Sequence, residues 1–274
     1  MDLNKAVVML DKPKGPTSRE VVEAVRLKMT AKKAGDTGTL DPNTTGVLII
    51  CLDEATKAMP LFAGLDKEYV TTMRLHKDAD KKQITEALKK FTGKIMQMPP
   101  VKSAVARKER QREIYSIKIL DFKNRDVRLQ IKCQAGTYIR KLIHDIGQSI
   151  GCGAQMADLQ RIAVDKIKIS ECVALDRLTE KNIISLETLL KKIGAKKIAI
   201  KDFALKDFKN GKEIKSPSIA FIGKDVETGD TVAVYCNEKI IGLGKAVHGF
   251  DELQTERLYL KHQHVYLKPD RVFN

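Results

Sequence analysis

A glycine-punctuated loop that leads straight into a buried strand most constrains how this chain can fold. The loop begins at Gly35 and ends at Pro42, and the uncharged apolar run Val47–Leu52 follows within a few residues. An apolar run of this length beside turn residues is typical of a buried strand. Because the proline disfavours helical geometry at Asp41, the carboxylate of Asp41 should project from the turn. Taken alone, the same residues would also suit an ordinary surface turn.

Helical and strand periods follow one another in mixed order along the chain. Apolar residues have helical spacing from Val21 to Met29, with Thr17 or Ser18 as the N-cap, and again in 84–91. Residues 127–133 alternate strictly between apolar and polar, which predicts a half-buried strand with a basic outer face. The next helical stripe consists of Ile139, Leu142, Ile143, Ile146 and Ile150.

The pattern changes at about Thr179. Residues 183–193 have the spacing of a helix that ends at Gly194, and short alternating runs follow in 198–200, 231–235 and 240–247. These runs predict a small β-rich unit. We therefore expect two domains, 1–178 and 179–274.

Composition indicates the kind of partner. The chain has 50 Lys and Arg against 35 Asp and Glu, a formal net charge of +15, which favours a polyanion such as nucleic acid. Charge used only for solubility is the alternative. Residues 1–11 lack the features of a signal peptide, and no apolar stretch is long enough for a bilayer, so we expect a cytoplasmic protein without a membrane partner. Five widely spaced cysteines without a CxxC pattern indicate neither a disulfide framework nor a metal site.

Six motifs occur in the order found in the TruB branch of pseudouridine synthases, which the chain resembles over roughly residues 5–170. They are Lys12-Pro13-x-Gly15-x-Thr17-Ser18, the Gly35–Pro42 loop, Lys67-x-Tyr69, Pro99-Pro100-x-x-Ser103-Ala104-Val105, Gly136-Thr137-Tyr138-Ile139-Arg140 and Leu159-Gln160-Arg161. The Ser-Ala-Val after the double proline and the basic run 107–112 are similar to the archaeal and eukaryotic dyskerin group. The resemblance implies the catalytic subunit of an H/ACA guide-RNA particle.

The resemblance also implies roles for particular residues. Asp41 matches the catalytic aspartate, and Arg140 matches the arginine that pairs with it and favours its ionised form. Tyr69 matches the tyrosine that stacks on the flipped base, with a hydroxyl available for proton transfer at C5; a core tyrosine is the alternative. Leu159 resembles the apolar wall of the pocket. Since the isomerisation involves no redox change and no net hydrolysis, neither a cofactor nor a metal is expected.

Four further residues complete the expected site. Tyr138, Lys12 and Lys67 should support the pocket or contact phosphate. Asp36 stands where family members usually have histidine, and an acid beside phosphate should weaken RNA binding. This departure suits a divergent synthase whose guide particle supplies the lost contact, or a degenerate copy.

The resemblance implies an α+β fold with a mixed, mostly antiparallel sheet and flanking helices, followed by a small β-barrel PUA-like domain. The leading function is conversion of uridine to pseudouridine in ribosomal RNA, with guide RNA and the small H/ACA proteins as partners. The alternatives are guide-independent modification of tRNA and a non-catalytic RNA-binding scaffold.

Overall fold

The structure is a computed structural model, and it describes residues 3–98, 108–259 and 264–273. The predicted Pro99–Val105 motif and Arg107 of the basic run lie outside the described residues. The described part of the chain forms two sheets with flanking helices.

The first sheet contains eleven strands, and it carries the loop singled out above. Its strands are β1 Ala6–Lys12, β2 Ala34–Asp36, β3 Thr44–Leu52, β4 Lys67–Leu75, β5 Gly93–Gln97, β6 Arg110–Lys123, β7 Asp126–Cys133, β8 Ala154–Val164, β9 Ile167–Lys168, β10 Val173–Ala174 and β11 Ile183–Ser185. The order is β10-β1-β3-β8-β4-β7-β6-β5, with β11 beside β1, β2 beside β3 and β9 beside β8. Among the described strands of this sheet, only the β1–β10 and β3–β8 pairs are parallel. The predicted mixed, mostly antiparallel sheet is therefore confirmed.

Five α-helices accompany this sheet. They are α1 Ser18–Lys28, α2 Met59–Ala63, α3 Lys81–Lys90, α4 Ile139–Ile150 and α5 Leu186–Ile193. Thr17 caps α1 as predicted, because its side chain accepts from the Glu20 N–H while the Glu20 carboxylate accepts from the Thr17 N–H. The predicted apolar stripe of α4 is buried against β4, β6 and β7 in one core cluster.

The sequence prediction was wrong at the start of α5. Residues 183–185, expected to be helical, form β11 and pair with β1 at Val8, Val7 and Ala6. The helix begins one residue later, where the Ser185 side chain accepts from the Thr188 N–H. The predicted end at Gly194 is confirmed, since this residue is left-handed with φ of 70°.

The second sheet is nearly closed and fits the predicted PUA-like barrel. Its strands are β12 Lys197–Ile200, β13 Ile214–Lys215, β14 Ile219–Ile222, β15 Thr231–Cys236, β16 Lys239–Ala246 and β17 Val265–Val272, and its helices are α6 Leu205–Lys209 and α7 Phe250–Tyr259. The strand order is β13-β17-β16-β15-β12-β14.

The two sheets share part of one hydrophobic core. Ala233, Ile240 and Leu243 of the second sheet, and Phe273 directly after β17, are buried in the same cluster as apolar residues of β1, β3 and α5. The division between residues 178 and 179 stays a prediction; β11 and α5, which follow it in sequence, pack on the first sheet.

No helix among the described residues is long and apolar enough to cross a membrane.

Candidate active site

A cleft of about 370 Å³ opens where the Gly35–Pro42 loop, β4, β8 and the start of α4 meet. It brings together six of the eight predicted site residues. They are Asp41, Tyr69, Arg140, Leu159, Tyr138 and Lys67. Lys12 and Asp36 lie outside its lining; Lys12 bonds to the Pro42 carbonyl from β1, and Asp36 bonds within the loop.

Asp41 and Arg140 form an ion pair at the mouth of the cleft. Arg140 Nη2 donates to Asp41 Oδ2 across 99 residues of sequence. Both side chains are more than half exposed, 57% for Asp41 and 61% for Arg140. An exposed pair contributes little to stability. The pair turns the carboxylate toward Arg140 and leaves both side chains open to a ligand.

The backbone around Asp41 is held from several sides. Ser18 is buried, and its hydroxyl both accepts from the Leu40 N–H at 2.8 Å and donates to the Leu40 carbonyl at 2.9 Å. On the other side, the Thr44 N–H donates to the Asp41 carbonyl at 2.9 Å. The backbone on both sides of Asp41 is therefore held by hydrogen bonds, beside the buried strand β3.

Lys12 lies behind this loop and is fully buried. Its ammonium donates to the carbonyls of Pro13 at 3.0 Å, Pro42 at 3.2 Å and Thr44 at 3.1 Å. These bonds use all three of its donors. Burial lowers the pKa of Lys12. Of the two predicted roles, phosphate contact does not fit this geometry, because the ammonium is enclosed by carbonyls of the chain.

Asp36 turns its carboxylate into the loop. Its Oδ2 accepts from the Gly38 N–H at 3.2 Å and from the Thr39 hydroxyl at 3.1 Å. This is a local side chain to backbone bond of the kind that stabilises turns. These bonds direct Oδ2 toward its own loop, and the expected weakening of RNA binding by Asp36 stays a prediction.

Tyr69 lies on β4 and is 8% exposed, with its remaining surface toward the cleft. Burial raises the pKa of the Tyr69 phenol, and the Arg161 guanidinium beside it opposes this rise. The hydroxyl is therefore protonated at neutral pH and available as a proton donor.

Arg161 is the main residue that sequence reasoning missed, although it belongs to the Leu159-Gln160-Arg161 motif. It is 3% exposed. Its Nε donates to the Val47 carbonyl and its Nη2 to the Gly38 carbonyl, both at 2.7 Å. With Tyr69 as its further neighbour, Arg161 links the loop, the strand behind it and the phenol. The motif includes Arg161, but its hydrogen-bond partners, the carbonyls of Val47 and Gly38, are distant in sequence.

Lys67 is also buried in the wall of the cleft. Its ammonium donates to the carbonyls of Ala63 at 3.1 Å and Leu65 at 2.5 Å. Burial lowers the pKa of Lys67 to about 8, and the charge of Arg161 acts in the same direction. A lysine held by two carbonyls supports the chain between α2 and β4.

Tyr138 is placed by Gln97, a second residue that sequence reasoning missed. The buried amide of Gln97 accepts from the Tyr138 N–H at 3.0 Å and donates to the Tyr138 carbonyl at 3.2 Å. Tyr138 is the N-cap residue of α4. These two hydrogen bonds to the Tyr138 backbone fix the start of α4. They therefore also fix the position of Arg140 in the first turn of the helix.

Two family models match the part of the sequence that contains the residues lining this cleft. The N-terminal domain of the TruB family pseudouridylate synthases matches residues 26–85 and 76–139, and the C-terminal domain of tRNA pseudouridylate synthase B matches residues 140–196. The chain belongs to the TruB family of pseudouridine synthases, enzymes that isomerise uridine in RNA.

Relatives and solved structures extend the match beyond these residues. A Methanothermobacter thermautotrophicus protein, "Probable tRNA pseudouridine synthase B", is 39% identical over 89% of this chain and 80% of its own length. A Methanopyrus kandleri protein of the same name is 49% identical over 62% of this chain and about half of its own length, 51%. A chain in a solved Cbf5-Nop10-Gar1 complex has a TM-score of 0.88 at 34% identity, covering 99% of this chain and 86% of that one. A chain in an H/ACA RNP bound to a substrate RNA containing 2′-deoxyuridine has a TM-score of 0.85 at 32% identity, covering 99% and 86%.

Proposed function

We propose that this enzyme converts uridine to pseudouridine in RNA as the catalytic subunit of an H/ACA-type particle, with ribosomal RNA as its main target. One observation carries the proposal: 99% of the chain, both sheets included, is similar to a chain in a Cbf5-Nop10-Gar1 complex. A guide RNA and small proteins of the Nop10 and Gar1 kind would then be the partners.

In this proposal Asp41 is the catalytic residue. The reaction breaks the bond between N1 and the sugar, turns the uracil over and joins C5 to the same sugar carbon. C5 loses a proton and N1 gains one, so the product is an isomer of the substrate. Asp41, which faces the cleft as a carboxylate paired with Arg140, is suited to attack the sugar or base or to take a proton from the sugar.

Tyr69 and Leu159 would hold the base. A target uridine must leave its stack, which costs a few kcal/mol. Stacking on an aromatic ring returns about 1 to 3 kcal/mol per base. Tyr69 and Leu159 both line the cleft. Because the Tyr69 phenol is protonated, it could take up the proton that C5 loses only after giving its own proton to N1 or to solvent.

Arg161, Lys12 and Lys67 would act as positioning residues. Each is buried and donates to at least two backbone carbonyls of the segments that carry Asp41 or Tyr69. Catalytic groups need support of this kind, because small displacements cost much of the rate.

Guide-independent modification of tRNA is the second candidate. It is favoured by the name of the curated relatives, tRNA pseudouridine synthase B. The two functions differ in what the isolated chain can do, because a guided enzyme depends on its RNA to present the target uridine.

The test compares substrates labelled with tritium at C5 of uridine. The purified chain is given unmodified tRNA alone, or ribosomal RNA fragments with a matching guide RNA and Nop10-like and Gar1-like proteins from the same source. The proposal predicts tritium release mainly from the guided target. Efficient release from tRNA by the chain alone, with none from the guided target, would favour the second candidate.

A further inference from the structure

Strand β8 forms one wall of the cleft, although the residues that it turns toward the cleft do not alternate regularly. Met156, Leu159 and Arg161 all line the cleft. In a regular strand successive side chains point to opposite faces, so Met156 and Leu159 would lie on opposite faces of the sheet. An extra residue must therefore lie between them.

The pairing of β8 with β4 shows where this residue is. Thr72 of β4 pairs with Asp158. The next residue of β4, Met73, pairs with Met156, so Ala157 has no partner on β4. Two residues of one strand opposite a single step of its neighbour form a β-bulge.

The bulge decides which face of β8 carries the cleft residues. Beyond it, Thr71 pairs with Leu159, and Tyr69 pairs with Arg161. Paired residues share a face, so Leu159 and Arg161 lie on the same face of the sheet as Tyr69. Without the bulge, the register would move by one residue and Leu159 would pair with Val70. Such a slip turns every following side chain to the other face, Arg161 included.

Two hydrogen bonds from β4 to Asp158 hold the strands together beside the bulge. The Thr71 hydroxyl donates to the Asp158 carbonyl at 2.6 Å, and the Thr72 N–H donates to the Asp158 carboxylate at 2.7 Å. Thr71 is fully buried, so its hydroxyl has no access to water as a substitute partner. Each bond has a side chain at one end, and a single substitution can therefore remove it.

We infer that Thr71 and Asp158 are positioning residues for the isomerisation, because they keep the bulge that turns Leu159 and Arg161 toward the cleft. Neither of the two belongs to the lining of the cleft. Bulges beside active sites commonly re-aim a side chain in this way. The inference rests on the proposed function, since it takes the cleft as the pocket for the target uridine.

Paired substitutions separate the hydrogen bonds from the packing. Thr71→Val and Asp158→Ala each remove one bond, whereas Thr71→Ser keeps the hydroxyl donor and Asp158→Asn keeps an oxygen acceptor. Single-turnover tritium release at saturating RNA should fall at least about tenfold in the first two variants, since small displacements in a site cost much of the rate. It should stay within about threefold of the wild type in the other two. RNA affinity should change less than about twofold in all four, because phosphate contacts dominate it.

Hydrogen exchange of the Thr72 amide reports the bulge without any substrate. Leu159 also pairs with Thr44 of β3, so loss of one bond should open the bulge transiently rather than shift the whole strand. Thr71→Val leaves the Thr72 N–H and its carboxylate acceptor in place. Its Thr72 amide should nevertheless exchange at least about tenfold faster than in the wild type or in Thr71→Ser, as measured by NMR.

The control for simple loss of stability is Ile146→Val, at a fully buried residue of α4 in the same core cluster. It should lower the melting temperature but leave the release rate and the Thr72 exchange at wild-type values. A wild-type release rate or a wild-type exchange rate in Thr71→Val would overturn the inference. So would conservative variants that lose as much activity as Thr71→Val and Asp158→Ala.

The outcome is separable from that of the proposed function. The variants are compared on the RNA from which the wild type releases tritium, either the guided ribosomal target or tRNA alone. A wild type that acts on tRNA alone contradicts the proposed guided function, whereas a failure of the present inference appears only in the differences between the variants and the wild type.

Discussion

At the scale of single residues, the buried arginine behind the loop is the most informative position. Arg161→Met would leave the Gly38 and Val47 carbonyls without their donor, at a cost of about 1 to 3 kcal/mol each when buried. Arg161→Lys keeps the charge but not the fork that reaches two carbonyls. We expect kcat to fall in both variants, more in Met, while KM changes little.

A purely structural role would give a different result. Both variants would then lose thermal stability without a fall in kcat at a temperature where they remain folded. Circular dichroism at the assay temperature provides the control.

The buried Lys67 makes a prediction about pH. Its folded-state pKa is about 8, below the value of about 10.4 in an unfolded chain. Between these values the unfolded state binds more protons, so the free energy of unfolding should rise with pH from about 8 to about 10. The shift corresponds to an upper limit of about 3 kcal/mol.

The matched control is Lys67→Met, which lacks this titration but retains Lys12 and Tyr69. Urea unfolding of the wild type and of Lys67→Met between about pH 8 and pH 10 gives the difference in their free energies of unfolding. Parallel curves would contradict the depressed pKa of Lys67.

At the scale of elements, the pairing of β3 with β8 depends on one glycine. Gly46 is left-handed with φ of +105°, and a Cβ there would lie 2.2 Å from the Arg161 carbonyl. Gly46→Ala should therefore separate the strands that place the loop and Arg161, and lower both stability and activity. Gly64→Ala is the control, because φ there is −81° and nothing lies within 4 Å of its Cβ. Equal melting temperatures for the two variants would contradict this account.

Local elements could be predicted from sequence where their signals are local. The cap at Thr17, the stripe of α4 and the alternation of β7 depend on near neighbours. Helical spacing predicts a helix over residues 183–185, whereas the pairing with β1 that makes them a strand joins segments far apart in sequence. The roles of Arg161 and Gln97 could not be predicted either, because their hydrogen-bond partners are distant in sequence. The sequence predicts that Asp36 lies in the loop. The structure adds that its carboxylate bonds to the Gly38 N–H of the same loop.

At the scale of the whole molecule, the shared core predicts that the second sheet stabilises the first. A chain ended at Ala195 loses Ala233, Ile240, Leu243 and Phe273, all buried in the cluster that includes β3. We expect such a chain to unfold at a lower temperature and to be cleaved faster by protease than the full chain. An unchanged melting temperature for the first-sheet transition would contradict this coupling.

In the proposed mechanism the Asp41 carboxylate, held in its loop by hydrogen bonds and paired with Arg140, carries out the isomerisation. Its most direct test is single-turnover tritium release from a C5-labelled guided target by the wild type and by Asp41→Asn, which removes charge and nucleophilicity at nearly constant size. We expect complete loss of release in the variant, with RNA affinity and melting temperature nearly unchanged. Release by Asp41→Asn at a rate near that of the wild type would remove Asp41 from the mechanism.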